Sequence, residues 1–594
     1  MLSRWSTSLS APLPDTGRFL AAWGVLSLLP IVPALVSSQP LRPYAPLCVE
    51  ALVLGTAVVY AAGTSWGRAV QWGAGAGMAL LVLYEAYDAT VYAAFRRSGI
   101  FYEDLQFIDD LGYLVLTLWS WRMAGALLLG LLAAAGGGWL MQWSLRTLAC
   151  TGRHGGCRTG LLAVHLVAWP LVGVVGPELD MGRVNLTYQT SNDRTRVRTA
   201  STSAAANVHA SLRLDDLLDS LRTAPTDSAY AAYDTLSLNR RPPLYLIMIE
   251  SYGSALNVHP ALRGPYRELM RRTDSVFAAA GWHRATARCA IPVRGGRSWL
   301  SIATLFTGTR VEHQLLFNQF QDAALHDRAE IPHLVRFLNR QGYRTVALQP
   351  FTFARPGLPV RNLYDFDEPV YRDDLHYRGP DYGLANAPDQ YSLHYTHETH
   401  LAPAQDPFFL FFETVDSHSL WNYGLPPVPP DWRRFNDQTT ARRSPHPDTA
   451  SFPPVFLPDS ITTPVIYDQP TPLRYLRHIA HEWRILRDYL TTKAPPESLV
   501  LLLGDHQPPL LETTRSTVPL HVLSRDSTLV ARVRRHGFTE GLPPTDLSPR
   551  LRQESLYAFL VRLLAAHDRG GPAPDTSGLP PNQPTGVSPS LLLP

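Results

Sequence analysis

Cysteine is scarce in this sequence, with four residues among 594. Cys48 falls in an apolar run, and Cys150 and Cys157 share a short polar stretch. Only Cys289 lies in the C-terminal part, so no internal disulfide can staple it. Cys150 and Cys157, with His154 between them, are too few and too widely spaced for a zinc site and read as reduced thiols. Charge of one sign is also missing. The formal net charge is +3, no basic cluster breaks the balance, and nucleic acid is excluded as a partner. No small-residue cleavage site follows the first apolar run, which therefore reads as a retained anchor and not a signal peptide. No internal repeat appears.

Long apolar runs are present instead, all in the first 176 residues. Stretches near Phe19–Val36, Ala45–Ala62, Ala69–Ala94, Ala124–Trp143 and Leu161–Val175 approach the length needed to cross a ~30 Å hydrocarbon core. One such run can be a buried soluble helix; five in succession argue for a transmembrane bundle. With the N-terminus inside, the inner segments carry Arg4, Arg18, Arg68, Arg146, Arg153 and Arg158, against Arg42, Arg96, Arg97 and Arg122 outside. That weak bias and an odd span count put everything after about Gly176 outside the cytoplasm. Glu103, Asp104, Asp109 and Asp110 oppose insertion of Phe101–Trp121, which reads as interfacial or re-entrant. Residues 177–240 form a polar juxtamembrane linker. Within it Ser211–Arg222 is amphipathic, with Leu212, Leu214, Leu217, Leu218 and Leu221 at helical spacing. After about Arg569 the Pro/Gly/Ser-rich composition predicts a disordered tail over 570–594.

Between 241 and 569, strand and helix signals alternate, which predicts an α/β domain with a mostly parallel sheet. Three continuous apolar runs read as buried strands: Leu244–Ile249, Phe408–Phe412 and Ser498–Leu503. Thr345–Leu348 reads as a fourth strand. Helices are predicted over Tyr266–Ala280, from Ser298, over Ile331–Gly342 and over Tyr475–Tyr489, with Asp389 capping another.

In open α/β sheets, ligands bind beyond the carboxyl ends of the strands, and here those ends carry polar residues. Glu250 follows the first run. A carboxylate there is costly to desolvate unless it is paired or metal-bound; it caps the next helix, pairs with an arginine, or binds a cation. Asp505 and His506 follow the third run. Either Asp505 orients His506, or both bind a metal, for which carboxylate and imidazole suit Zn or Mn. His418 follows the FFLFF run, as a structural hydrogen-bonder or a site residue. Ser298 opens a helix after Gly295 and Gly296. It is either an N-cap or a hydroxyl aimed at an anion site made by the free backbone N–H groups, beside Arg294 and Arg297. HIAHEW (residues 478–483) has the wrong order for a zinc-protease motif, and His394, His397 and His400 spread over too much of a helix for one metal. No second ligand cluster is legible.

Taken in order, ESYGS (Glu250–Ser254), GGRS (Gly295–Ser298), IPHLVRFLNRQGYRT (Ile331–Thr345), APDQYSLHYTHE (Ala387–Glu398), DSHSLW (Asp416–Trp421) and GDHQP (Gly504–Pro508) resemble the alkaline phosphatase/sulfatase superfamily. Within it they resemble the lipoteichoic acid synthase-like branch of phosphoglycerol transferases. The resemblance implies about five spans followed by one extracytoplasmic sulfatase-like domain in the inner or plasma membrane. It also implies that Glu250, Asp505 and His506 hold one divalent metal ion, Mn²⁺ first, with Zn²⁺ or Mg²⁺ as alternatives. Ser298 is then the nucleophile and a fourth ligand, while His418, Arg361 and Arg297 contact substrate. The branch usually has Thr where Ser298 stands; Ser301 and Thr304 are alternatives further along the helix. The loop around Arg361 departs most from the pattern. The sulfatase C/S-x-P-x-R motif fails, because CAIPVR (from Cys289) is one residue too long. Phosphoethanolamine transfer is disfavoured by the lack of paired cysteines.

The expected activity is metal-dependent transfer of a phosphoglycerol-type group from a lipid-linked donor to a glycan or lipid alcohol through a covalent Ser298 intermediate. The partners are accordingly membrane lipids. A sulfatase-like phosphodiesterase, phosphatase or sulfuric ester hydrolase is the alternative, and a non-catalytic membrane receptor or scaffold is the rival of another class.

Overall fold

The computed structural model describes residues 15–33, 48–95, 97–105, 121–151, 161, 204–205, 207–212, 230–325, 332–353, 362–380, 382, 387–402, 406–419, 421, 424–437, 471–511, 513, 515–543 and 547–568. The chain divides into two compact units, Met1–Asp216 and Leu217–Pro594.

Among its described residues the first unit has four main helices: α1 (Asp15–Leu28), α2 (Val49–Ala61), α3 (Gly67–Phe95) and α4 (Trp121–Thr151). They pack through Ala22 and Leu26 of α1, Leu52 and Val59 of α2, Met78 of α3, and Leu145 and Leu148 of α4. Elsewhere the apolar side chains face outward: Leu128, Leu129, Leu131 and Trp139 of α4 and Leu80 and Leu83 of α3 are all exposed. Among the described residues one helical stretch, Leu127–Cys150, is long and apolar enough to cross a membrane. At 1.5 Å per residue it spans about 36 Å. The first and second expected spans correspond to shorter apolar helices, Gly17–Leu28 and Glu50–Ala61, and all but Leu161 of the fifth lies outside the described residues.

The acidic stretch expected to avoid insertion begins as one turn of helix, Phe101–Asp104. Arg97 pairs with Glu103 at 3.6 Å and with Asp104. The Phe101 amide donates to Asn207 Oδ1 at 2.8 Å. Its continuation, most of the amphipathic stretch Ser211–Arg222, and the tail lie outside the described residues.

The second unit is a three-layer α/β arrangement. Among the described residues its sheet has nine strands: β1 (Leu244–Ile249), β2 (His283–Ala290), β3 (Arg344–Gln349), β4 (Glu368–Tyr371), β5 (Phe408–Glu413), β6 (Leu499–Gly504), β7 (Thr517–Ser524), β8 (Thr539–Glu540) and β9 (Leu551–Arg552). The order is β4-β3-β5-β1-β6-β7-β2-β8, with β9 beside β2. The strands from β4 to β6 are parallel, as the unbroken apolar runs of β1, β5 and β6 predict. Beyond them the sheet is mixed. β7 runs antiparallel to both β6 and β2; the described residues between β6 and β7 include no crossover helix, which a parallel neighbour of β6 needs.

The pleat sends alternate residues of β1 to opposite faces. Leu244, Leu246 and Met248 enter one core, with helix α6 (Ser298–Thr307) and helix α9 (Leu556–Asp568). Tyr245, Ile247 and Ile249 enter the other, with α5 (Arg263–Ala279), α7 (Asp389–Thr396) and α8 (Thr471–Thr492). Both cores being full explains why β1 can carry no polar residue before Glu250.

At Gly504, which ends β6, a Cβ atom would run into the carbonyl oxygen of Tyr252. Gly504→Ala should therefore push apart the ends of β1 and β6. We expect a lower thermal midpoint and weaker metal uptake together, read by near-UV circular dichroism and equilibrium dialysis.

Several histidines are buried among apolar groups. Burial pushes His333 and His521 down to about 3, so both are neutral in the fold. Their stability contribution is full above the unfolded value near 6.5 and is lost as pH falls below it, by up to ~1.4 kcal/mol per pH unit for each group. His333 accepts the Arg336 amide as the N-cap of Leu334–Arg340. His333→Asn keeps a capping side chain, and in urea titrations at pH 7 and pH 5 it should lose less stability on acidification than the parent.

Candidate active site

Glu250, Asp505 and His506 come together at the carboxyl ends of the adjacent strands β1 and β6, each offering a ligand atom within 4.8 Å of the others. All three are buried. The register explains the meeting: Ile249 pairs with Gly504, so the next residue on each strand emerges at one height. Ser251 then adopts a left-handed conformation, φ 58°, which is unusual for a residue with a side chain. That turn aims its amide at Asp505 Oδ1 (2.8 Å) and its hydroxyl at Glu250 Oε1 (2.7 Å). The Glu250 amide donates to Thr414 Oγ1 at 3.1 Å, and Ser417 Oγ donates to the Glu250 carbonyl at 2.7 Å.

His506 places Nδ1 2.9 Å from the Gln507 carbonyl. Donation there leaves Nε2 as a lone pair, and Nε2 faces Asp505 Oδ2 at 3.2 Å and Glu250 Oε1 at 3.7 Å. Burial lowers the pKa of His506 and opposes its protonation. Asp505 Oδ2 is buried with no hydrogen-bond partner. Burial, then the charge of Glu250, pushes Asp505 well above the usual carboxylate range. Burial works in the same direction on Glu250, but His506, His418 and the Ser251 hydroxyl outweigh it and bring that carboxyl down. A neutral imidazole lone pair facing two carboxylates, one with an unsatisfied oxygen, fits a divalent cation and suits neither a salt bridge nor a plain hydrogen bond.

Ser298 is the first residue of α6, half-buried, and Arg297 rather than Ser298 is the N-cap residue. The capping alternative for Ser298 therefore does not hold. Gly296 makes the preceding turn at φ 66°. Ser298 neighbours Glu413, the last residue of β5, and favours its charged form. Burial pushes Glu413 up to about 7. Ser301 and Thr304 are committed elsewhere. The Ser301 hydroxyl donates to the Asp505 carbonyl at 2.9 Å, and Thr304 Oγ1 accepts the Val311 amide at 2.9 Å.

His418 lies in the loop after β5, with Nδ1 2.5 Å from the Ser419 carbonyl. It is near enough to Glu250 and His506 to influence both. Arg297 is buried and its charge acts on His506. Arg361 lies outside the described residues. Cys289 is buried on β2, and burial pushes its thiol well above the usual range, which leaves little thiolate.

Sequence reasoning missed Glu413, hidden as the sixth residue of an aromatic run. It also missed a second buried acidic group, Asp389, Asp416 and Glu482, which corrects the expectation of no second cluster. Asp389 does not cap α7: its carboxylate accepts the Val415 and Asp416 amides instead. The available signal was HIAHEW, where three polar residues at i, i+3 and i+4 lie on the buried face of α8. His397 and His400 go to Tyr489 and Glu368.

No protein-family model and no curated protein matches the chain. The chain is similar to a number of solved structures, among them the following. One is the lipoteichoic acid synthase LtaP from Listeria monocytogenes, 12% identical over 64% of this chain and 82% of that one, TM-score 0.35. Another is an alkaline phosphatase superfamily protein from Vibrio parahaemolyticus, 14% identical over 61% and 79%, TM-score 0.34. A third is the integral membrane lipooligosaccharide phosphoethanolamine transferase EptA from Neisseria meningitidis, 13% identical over 92% and 95%, TM-score 0.42. Such identities concern the fold alone.

The ligand set is checked by metal uptake. After chelation and dialysis against Mn²⁺, elemental analysis should find one fewer ion per chain in Asp505→Asn than in the parent; unchanged stoichiometry would remove Asp505 from the set.

Proposed function

We propose that this chain is a membrane-anchored, metal-dependent phosphotransferase. It would move a phosphoglycerol-type group from a lipid-linked donor to an alcohol on a glycan or lipid. The observation that carries this reading is the gathering of Glu250, Asp505 and His506 within 4.8 Å, in a unit where Ser298 starts α6 and neighbours the buried carboxyl of Glu413.

Ser298 Oγ attacks the phosphorus of the donor phosphodiester and passes its proton to Glu413, whose raised value suits proton transfer near neutral pH. The phosphorus–oxygen bond to the lipid alcohol breaks. His418 gives that oxygen a proton, so the lipid leaves as a neutral alcohol and the head group stays on Ser298 as a phosphodiester. The acceptor hydroxyl then attacks the same phosphorus, loses its proton to His418, and Ser298 departs with the proton held by Glu413. The backbone N–H groups at the start of α6 and Arg297 face the phosphoryl oxygens. Glu250, Asp505 and His506, with Ser298 as fourth ligand, would hold one divalent ion, Mn²⁺ first. When bound, it stabilises negative charge on the phosphoryl oxygens and lowers the pKa of the serine hydroxyl.

Apolar side chains exposed on α3 and α4 support a membrane-embedded first unit; about five spans and an extracytoplasmic catalytic unit complete the reading. An anchor keeps the site beside its lipid substrates and raises their effective concentration. With water as acceptor the same residues would serve a phosphodiesterase. We further place the transmembrane part in residues 1–176, the linker in 177–240, the catalytic part in 241–569 and the tail in 570–594.

The test is intact mass spectrometry of the full chain after incubation with Mn²⁺ and mixed bacterial phospholipids. A head-group phosphodiester on the Ser298 peptide is expected, absent in Ser298→Ala, whose thermal midpoint should stay close to the parent's because Ser298 makes no capping bond. Full turnover in Ser298→Ala would overturn the nucleophile assignment.

A further inference from the structure

Asp389 at the start of α7, Asp416 in the loop after β5, and Glu482 in α8 bring one carboxylate oxygen each within 4.8 Å of the others. Asp389 and Glu482 are 0% exposed and Asp416 4%. Three different elements thus bury three acids in one place, an arrangement that is unfavourable unless something positive is supplied.

Their hydrogen bonds are incomplete in one direction. Asp389 Oδ2 accepts the Val415 and Asp416 amides, both at 2.7 Å, while its Oδ1 has no partner. Asp416 Oδ2 accepts the Asp389 amide at 3.1 Å and lies 3.3 Å from His481 Nε2. Glu482 is the independent observation. It comes from α8, and both of its carboxylate oxygens are buried with no hydrogen-bond partner. His478, one turn earlier, directs Nδ1 at the Asp416 carbonyl (2.8 Å).

We infer that Asp389, Asp416 and Glu482, with His481 at the rim, form a second divalent-cation site, distinct from the one at Glu250, Asp505 and His506. Three hard oxygen donors with one imidazole suit Mn²⁺ or Zn²⁺. A cation there joins α7, α8 and the loop that carries His418, and that loop also gives Ser417 Oγ to the Glu250 carbonyl. The site is therefore structural, fixing the loop from behind. It does not depend on the proposed transfer reaction.

The rival is a cluster in which the acids share protons and take up no metal. Equilibrium dialysis of the full-length detergent-solubilised chain against Mn²⁺ at neutral pH, with elemental analysis, separates the two. Glu482→Gln should lower the bound Mn²⁺ by one ion per chain, Asp505→Asn by one, and the double variant by two. Unchanged stoichiometry in Glu482→Gln overturns the inference. If Glu482→Gln does not fold, Asp505→Asn decides by itself: one retained Mn²⁺, displaced by excess Zn²⁺, supports a second site, and no retained ion overturns it. Because the two sites lose their ions to different substitutions, failure of one assignment leaves the other standing.

Discussion

Two carboxylates and the lone pair of an imidazole converge on one small space at the ends of β1 and β6, and the surrounding unit is built to keep them there. Alone, the convergence is repulsive: burial and the neighbouring charge drive the Asp505 carboxyl upward. The fold offsets part of this with neutral donors, namely the Ser251 amide and hydroxyl and the Asp505–His506 turn, where the His506 amide donates to Asp505 Oδ1 at 2.6 Å. What those donors leave uncovered, Asp505 Oδ2 and His506 Nε2, points into a common space. The arrangement makes sense as a cation site prepared by the scaffold before any ion arrives.

Precision of this kind needs rigid support. β1 is flanked by β5 and β6 in parallel register, and its six residues are all buried. Cores on both faces hold it, so the strand end cannot drift. The close approach of Tyr252 to Gly504 then brings the two site-bearing turns together. β7 returns antiparallel beyond them, and its His521 ties to Tyr252 at 3.0 Å, so the sheet's change of direction also braces the turn after Glu250.

The loop after β5 links two polar centres. Thr414 and Ser417 hold the backbone of Glu250, whereas Asp416 turns away to Asp389, His481 and Glu482. Neighbouring residues of one turn must point to opposite sides, and the turn accomplishes that with Trp421 buried against Tyr475 behind it. Tyr475 in turn donates to the Ser251 carbonyl at 2.6 Å. Helix α8 thereby contributes to both centres, which no local sequence pattern within it declares.

The central strands, the α/β class and the line of polar residues at the strand ends were legible in the sequence because each depends on local pattern. Continuous apolar runs mean double burial, and a run that stops at Glu250, or at Gly504, Asp505 and His506, marks the edge where a site can form. The motifs in which those residues sit carried the family resemblance. The rest depended on contacts between distant segments. β2 and β7 are strands by pairing with each other, not by apolar run, since HRATARCA and TVPLHVLS carry charged and polar residues and a proline. Glu413 gained its meaning only when β5 was laid beside the turn before α6. Asp389, Asp416 and Glu482 are 27 and 66 residues apart in sequence, and burial of three such acids in one space is a property of packing. Local periodicity can announce which face of a helix is buried; it cannot announce that the polar residues on that face will find each other.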